Sequence, residues 1–340
     1  MKRFNFLIVL TVVIGGTVLW DDFSRFLAPP PVKNPTPRVV RILPGMGLKE
    51  IAFHLHREGI VSAPYKFMAL TWLKGRNNKI QWGDFELSPG LAPTELLTVL
   101  SSGKTILKRI TIPEGFTLQQ IAKRLSDENL IEENTFLASA GDAQFIESLG
   151  IDGKTLEGYL FPDTYVFHRG MNSRVIQERM VRRFKEIFST LQEGGEWPGP
   201  GEVKKMVTLA SIVEKESGDK SERPLIASVF YNRIRKGMPL QSDPTVIYGI
   251  KGFNGDLTKK DLRTPTPYNT YLKPGLPPGP IANPGREALR AVLAPVKSEY
   301  IYFVSKNDGS HYFSKNLKDH NRAVARYQPP VKEEYKSFLR

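Results

Sequence analysis

The sequence predicts an α+β protein in three parts: an N-terminal transmembrane helix, a small α/β module and a larger α+β domain. The helix is predicted by an uncharged, apolar run over residues 4–20. The two folded parts are predicted by similar strand–turn–helix segments that begin at Ile42 and Ile112. Beyond the second segment lie long helices with apolar periodicity, polar loops rich in proline and glycine, and a terminal hairpin.

Taken in order, Lys2 and Arg3 precede FNFLIVLTVVIGGTVLW, and Asp21 and Asp22 follow it. As a helix this run rises about 26 Å, close to the ~30 Å hydrocarbon core of a bilayer. It is longer than a signal-peptide core and has no small-x-small cleavage site after it. Basic residues before it and none just after predict an N-in, C-out orientation, so residues 1–22 read as cytoplasmic end plus anchor. A single-pass protein of the bacterial cytoplasmic membrane follows, with its folded parts on the extracytoplasmic side. Residues 23–38 include APPPVKNPTPR, whose prolines make a stiff, extended spacer.

With 40% apolar and 24% charged residues the chain is globular rather than disordered. A net charge of +13 favours anionic partners. Placement outside the cytoplasm weakens nucleic acid as that partner, and none of its recognition motifs occurs. Lipid headgroups or a cell-wall polymer remain. The absence of cysteine excludes disulfides, thiolate metal sites and cysteine nucleophiles. The five histidines show no metal-ligand spacing, so neither metal nor cofactor is expected.

ILPGMGLKEIAFHLHREGIV from Ile42 and IPEGFTLQQIAKRLSDENLI from Ile112 share Ile42/Ile112, Gly45/Gly115, Leu48/Leu118, Ile51/Ile121, Ala52/Ala122, Leu55/Leu125 and Glu58/Glu128. Each reads as a short strand, a glycine turn and a helix. With the β-rich return IQWGDFELS over residues 80–88, the first copy resembles a LysM-like βααβ module, a type that binds N-acetylated glycans. Residues 133–149 read as helical and 156–167 as strand and turn. Residues 172–192 form a long charged helix and 193–202 a glycine-rich loop. The module is therefore placed at 39–104 and the larger domain at 105–340.

LASIVEKESG, Leu209 to Gly218, carries the chemistry-bearing candidates. The apolar residues from Met206 to Val213 define one helical stripe, with Glu216 about 70° from its centre and Glu214 about 90° away on the other side. Periodicity leaves both at the stripe's edge and prevents them from acting as a pair. Position along the helix separates them: Gly218 reads as the stop, which puts Glu216 in the last turn. The macrodipole is negative there, and a partly buried carboxylate is pushed towards its protonated form. A proton-donating glutamate requires such a setting.

Downstream, LQSDPTVIYG, TPYNTY, GLPPGPIANPG and HYFSKNLKDHN fall within one domain. Loops stiffened by proline and bearing hydroxyls, amides and aromatic rings suit a carbohydrate, which offers many hydroxyls and flat CH faces.

These motifs, together with LEGYLFPDTY, SIVEKES, YNRIRKGMPLQSDPTVIYG and YIYFVSKNDGSHYFS, resemble the endolytic murein transglycosylase or YceG-like family over nearly the whole chain. The resemblance implies cleavage of the β-1,4 bond between N-acetylmuramic acid and N-acetylglucosamine inside nascent peptidoglycan strands. It implies Glu216 as the catalytic acid and then base, and a 1,6-anhydro product end. Because the anchor and short spacer limit reach to newly made strands, a role in terminating elongation with peptidoglycan synthases as partners is expected as well. Ser211, Gln241, Ser242, Tyr248, Tyr268, Asn269 and Thr270 are expected along the glycan groove. Arg233 is expected to bridge to Glu214, and Asp163 and Asp243 to cap turns. The competing readings are a non-catalytic, membrane-tethered peptidoglycan-binding scaffold and a basic lipid- or nucleic-acid-binding protein.

Overall fold

The computed structural model describes residues 2–32, 34–43, 45–103, 105–192 and 198–328, with side chains from Ile14 onward. It divides into two compact units. One holds residues 1–109 and 166–171, and the other 110–165 and 172–340.

In the first unit, α1 (Lys2–Leu27) is followed by β1 (Arg38–Ile42), α2 (Leu48–Arg57), α3 (Pro64–Leu73), β2 (Gly83–Leu87) and α4 (Pro93–Ser102). The expected anchor falls largely on residues whose side chains lie outside the described ones. Among the described residues no helix is long and apolar enough to cross a membrane. The helix continues five residues into the stretch expected as spacer. Arg25 pairs with Asp21 at 2.6 Å, and Phe23, Phe26 and Leu27 find apolar partners in the unit's core. Pro29 then stops it, since the residue before a proline avoids helical backbone.

β1 and β2 pair antiparallel with Val40 opposite Phe85. Strand alternation turns Val40, Ile42, Phe85 and Leu87 inward, onto Leu55 of α2, Phe67 and Leu70 of α3, and Leu96 and Leu100 of α4. Residues 166–171 belong to this unit. The His168 ring lies 4.8 Å from that of Trp82, and Arg169 approaches Asp84 at 3.7 Å.

Next in chain order come β3 (Leu107–Thr111), α5 (Leu118–Asp127), α6 (Glu133–Ala140), α7 (Ala143–Ser148) and β4 (Thr164–His168). Then follow α8 (Ser173–Leu191), α9 (Pro200–Glu216), α10 (Arg223–Arg235), α11 (Asp243–Gly249), α12 (Arg286–Leu293), β5 (Tyr302–Ser305), β6 (His311–Ser314) and α13 (Leu317–Tyr327). β3 pairs with β4, and the division between units runs through both strands. In the second unit α9 packs on α10, α11 and α12. Val207, Leu209, Ile212, Phe230, Leu289 and Val292 are buried there. β5 and β6 form an antiparallel hairpin with Tyr302 opposite Ser314.

The repeated segments fold alike in detail. Gly45 and Gly115 both take left-handed backbone, at φ +85° and +75°, which a side chain would disfavour. At the helix starts, the Gly47 amide donates to Glu50 (3.0 Å) and the Thr117 amide to Gln120 (2.8 Å). At the ends, the amide of Ile60 donates to Leu55 O and that of Leu130 to Leu125 O. In the second copy the turn is also tied to the segment ahead of α12: Gly115 N donates to Asn283 O, and Asn283 N to Phe116 O. Lys215 of α9 reaches Gly115 O at 3.5 Å, which sets this copy beside the end of α9.

Candidate active site

α9 begins on Pro200 and buries Val203, Val207 and Leu209–Val213. Glu216 is its last residue, and Ser217 already has extended backbone. The stop is therefore not the left-handed glycine cap expected at Gly218. That glycine is required by close approach, because a Cβ there would lie 2.9 Å from Gly309 O in the β5–β6 turn.

Glu216 is partly exposed. Ser242 donates its hydroxyl proton to Glu216 Oε1 at 2.5 Å. Burial pushes the carboxyl up to about 7. Ser242 and the charge of Arg233 pull it down, and the negative charge of Asp243 adds to the rise. Near neutral pH the group can therefore both release and recover a proton.

Ser242 is held on all sides. Its amide donates to Thr270 Oγ1 (3.1 Å), and its carbonyl accepts from Thr245 Oγ1 (2.6 Å). The residue before it, Gln241, has φ +52° and donates its amide to Thr270 O. A non-glycine residue in that region must be held there by its surroundings. Arg233 supplies the clamp: Nη1 donates to Leu240 O (2.8 Å), Pro239 O (3.2 Å) and Gln241 Oε1 (3.3 Å), and Nε to Ile301 O (2.7 Å). Its guanidinium lies 5.2 Å from the centre of the Tyr302 ring. Asp243 accepts from Tyr271 at 2.5 Å.

Glu214 sits in a different network. Arg223 Nη2 donates to it at 2.6 Å and the Gly285 amide at 3.0 Å, with both charged side chains nearly buried. Arg223 Nε also donates to Ser217 Oγ at 2.9 Å. The bridge expected from Arg233 to Glu214 is thus made by Arg223, because Arg233 is committed to the backbone carbonyls of the 239–241 and 301 segments.

Among the described residues no group of three or more His, Asp or Glu side chains converges on a metal-sized site. The arrangement can transfer a proton and position a polar substrate.

A family model described as YceG-like matches residues 40–326. The chain belongs to the YceG-like family. An endolytic murein transglycosylase of Bacillus subtilis is 34% identical over 332 residues, which cover 93% of this chain and 91% of that protein. A Streptococcus pneumoniae protein of the same name is 31% identical over 361 residues, covering 95% of this chain and 64% of that one. The crystal structure of a YceG-like protein from Listeria monocytogenes aligns with a TM-score of 0.55 at 32% identity, over 85% of this chain and all of that one.

In this YceG-like chain the expected groove residues sort by position. Ser242 touches Glu216, and Gln241 and Thr270 hold Ser242. The rings of Tyr248 and Tyr268 pack at 60° to each other with centroids 4.9 Å apart, both partly exposed. Ser211 and Asn269 lie in the interior instead. Ser211 donates to Thr208 O and accepts from the Ile281 amide. Asn269 donates to Leu262 O and Thr264 O. Asp163 accepts from the Thr164 amide and pairs with Arg183 at 2.8 Å.

Glu157 was not singled out from the sequence. It is 4% exposed, accepts from the Leu118 amide, Asn283 Nδ2 and the Tyr248 hydroxyl, and is pushed up to about 7 by burial. One signal was available: a lone charge between the apolar residues of LEGYLF, where a solvated position is improbable.

Proposed function

We propose that this chain is a membrane-anchored endolytic lytic transglycosylase that cuts the N-acetylmuramic acid–N-acetylglucosamine β-1,4 bond of nascent peptidoglycan strands. The observation that carries the reading is Glu216: a helix-end carboxyl, partly exposed, held by Ser242 and raised to about 7. The family and its transglycosylase relatives support the substrate class.

Glu216 protonates the glycosidic oxygen as the C1–O bond breaks, and the departing N-acetylglucosamine leaves with a free 4-hydroxyl. The resulting carboxylate takes the proton of the muramic acid C6 hydroxyl, whose oxygen closes on C1 and gives the 1,6-anhydro end. Supplying the nucleophile from the same sugar replaces a bimolecular attack by water with an intramolecular one. A covalent glycosyl-enzyme would need a second carboxylate about 5 Å away. Glu214 cannot serve, being tied to Arg223 and Gly285.

The apolar run at 4–20 supports the anchor, and the βααβ order of β1, α2, α3 and β2 supports a LysM-like glycan-positioning role for the first unit. An anchor followed by a short proline-rich spacer limits the reach of the chain to strands as they are made, which supports strand termination beside glycan-polymerising synthases.

Digestion of sacculi followed by mass spectrometry of the fragments tests the reading. Wild type should produce internal 1,6-anhydro-muramyl ends, and Glu216→Gln should produce none while still binding strands. Reducing muramic ends, heavier by one water, would make the protein a hydrolase. Binding without any cut by wild type would make it the scaffold.

A further inference from the structure

α3 has two apolar faces where a surface helix normally has one. Phe67, Leu70 and Thr71 are buried in the core of the first unit. On the opposite side Tyr65, Ala69, Trp72 and Leu73 face solvent, with Tyr65, Trp72 and Leu73 at 69%, 66% and 74% exposure. Positions 65, 69, 72 and 73 fall at the spacing of a single helical stripe, about 15 Å long over the ten residues. The ring of Phe53 on α2 extends it, 5.3 Å from that of Tyr65. A contiguous apolar patch of this kind marks a contact surface.

Charge and position identify what the stripe contacts. From Gly59 to Gly83 the chain carries Lys66, Lys74, Arg76 and Lys79 and no acidic residue. Lys66 is paired with Asp22, and Lys74, Arg76 and Lys79 follow the stripe directly in the chain, so the end of α3 carries an excess of positive charge. The stripe itself offers no amide or carboxylate with which to bind sugar hydroxyls. It is also tied directly to the helix that precedes it: Lys66 Nζ donates to Asp22 Oδ1 at 2.7 Å and lies 6.0 Å from the Phe26 ring. Trp20, two residues before Asp22, is 70% exposed. Aromatic and aliphatic side chains bordered by lysine and arginine, beside the end of an anchor, are the composition of an interfacial helix.

We propose that the outer face of α3 is a second membrane contact, lying in the headgroup region of an anionic leaflet with Trp72 and Leu73 inserted. The inference rests on the reading of residues 4–20 as an anchor. It implies that the first unit is held against the lipid surface, with attraction between the basic end of α3 and anionic headgroups adding to burial of the stripe.

The chain has no cysteine, so a single introduced one can carry a nitroxide at a chosen place. Full-length protein is reconstituted in phosphatidylglycerol-containing vesicles with labels at Leu73→Cys, at Gly16→Cys as the anchor reporter, and at Lys123→Cys as the aqueous reference. Lys123 is 68% exposed in the second unit. The ratio of collisions with oxygen to collisions with a water-soluble nickel complex should be several-fold higher at 73 than at 123. It should fall when Lys74→Glu and Arg76→Glu are added, or when the vesicles are uncharged phosphatidylcholine. A label at 73 as accessible to nickel as that at 123, with the label at 16 in lipid, overturns the inference and leaves the anchor standing. An aqueous label at 16 removes the anchor and this inference with it. A label at 73 shielded by added glycan strands instead of lipid would make the stripe a glycan face and also overturn it.

Discussion

Glu214 and Glu216 are the same residue type two positions apart, and their surroundings differ: Arg223 and the Gly285 amide hold the first, and Ser242 holds the second. Helical periodicity turns them to opposite edges of the buried stripe, and that much could be read from LASIVEKESG. Their partners could not, because Ser242, Arg223 and Gly285 come from three other segments that no local pattern links to α9. Arg233 illustrates the same limit: an arginine in an apolar helix suggests a nearby acid, whereas here five-donor chemistry is directed at backbone carbonyls. Ser242 offers a test at this scale. Its hydroxyl stabilises the ionised form of Glu216, so its loss favours the protonated form. On the proposed role of Glu216 as the catalytic acid, which must be protonated to act, cleavage should fall as pH rises through its value. In Ser242→Ala that basic limb should move upward by about one to two pH units, since a charge-assisted hydrogen bond is worth about 1.5–3 kcal/mol. Measured pH–rate profiles of the two proteins decide it, and a downward shift would mean that Ser242 acts otherwise.

Strand and helix patterns carried most elements into view, because the pairs Ile51/Ile121, Ala52/Ala122 and Leu55/Leu125 are core positions of α2 and α5. What the repeat could not reveal is that its second copy borders the site, through the turn at Gly115 and Asn283. Glu157 joins these pieces: it receives the first amide of α5, the side chain of Asn283 and, from α11, the hydroxyl of Tyr248. Its carboxyl rises from the ordinary 4.5 to about 7 on folding. A group with a raised folded value stabilises fully below its unfolded value, and that contribution is lost as pH climbs to the folded one. Glu157 therefore favours the folded state below about 4.5 and loses this effect by about 7, a span worth about 3 kcal/mol. Glu157→Gln, which keeps shape without titrating, should lie relatively higher in thermal stability at pH 8 than at pH 5 when compared with wild type. Calorimetric melts at the two pH values check this, and a constant difference between the proteins would mean that Glu157 does not titrate in this range.

Across the whole molecule, the apolar run at 4–20 leads to the expectation of an extracytoplasmic protein, the net charge of +13 to that of an anionic partner, and the repeated segments to a linear boundary at 104/105. The contacts divide the chain differently, because residues 166–171 return to the first unit after more than fifty residues in the second. That return is long-range strand pairing, which local periodicity does not encode. It changes what a fragment should do. Phe167 and Met171 are buried, and His168 and Arg169 pack on Trp82 and Asp84 of the first unit. A chain of residues 105–340 would keep the segment and lose Trp82 and Asp84. Two large apolar side chains would be exposed, each costing about 1.5–3 kcal/mol of burial, and β4 would keep its partner β3 but lose the packing behind it. The fragment should run as soluble aggregates on size-exclusion chromatography, bind an apolar dye, and melt well below the intact protein. Replacing Phe167 and Met171 by serine in the fragment should reduce the aggregation without restoring the melting temperature. A monomeric fragment that melts with full cooperativity at the temperature of the intact chain would show that the second unit holds residues 166–171 by itself.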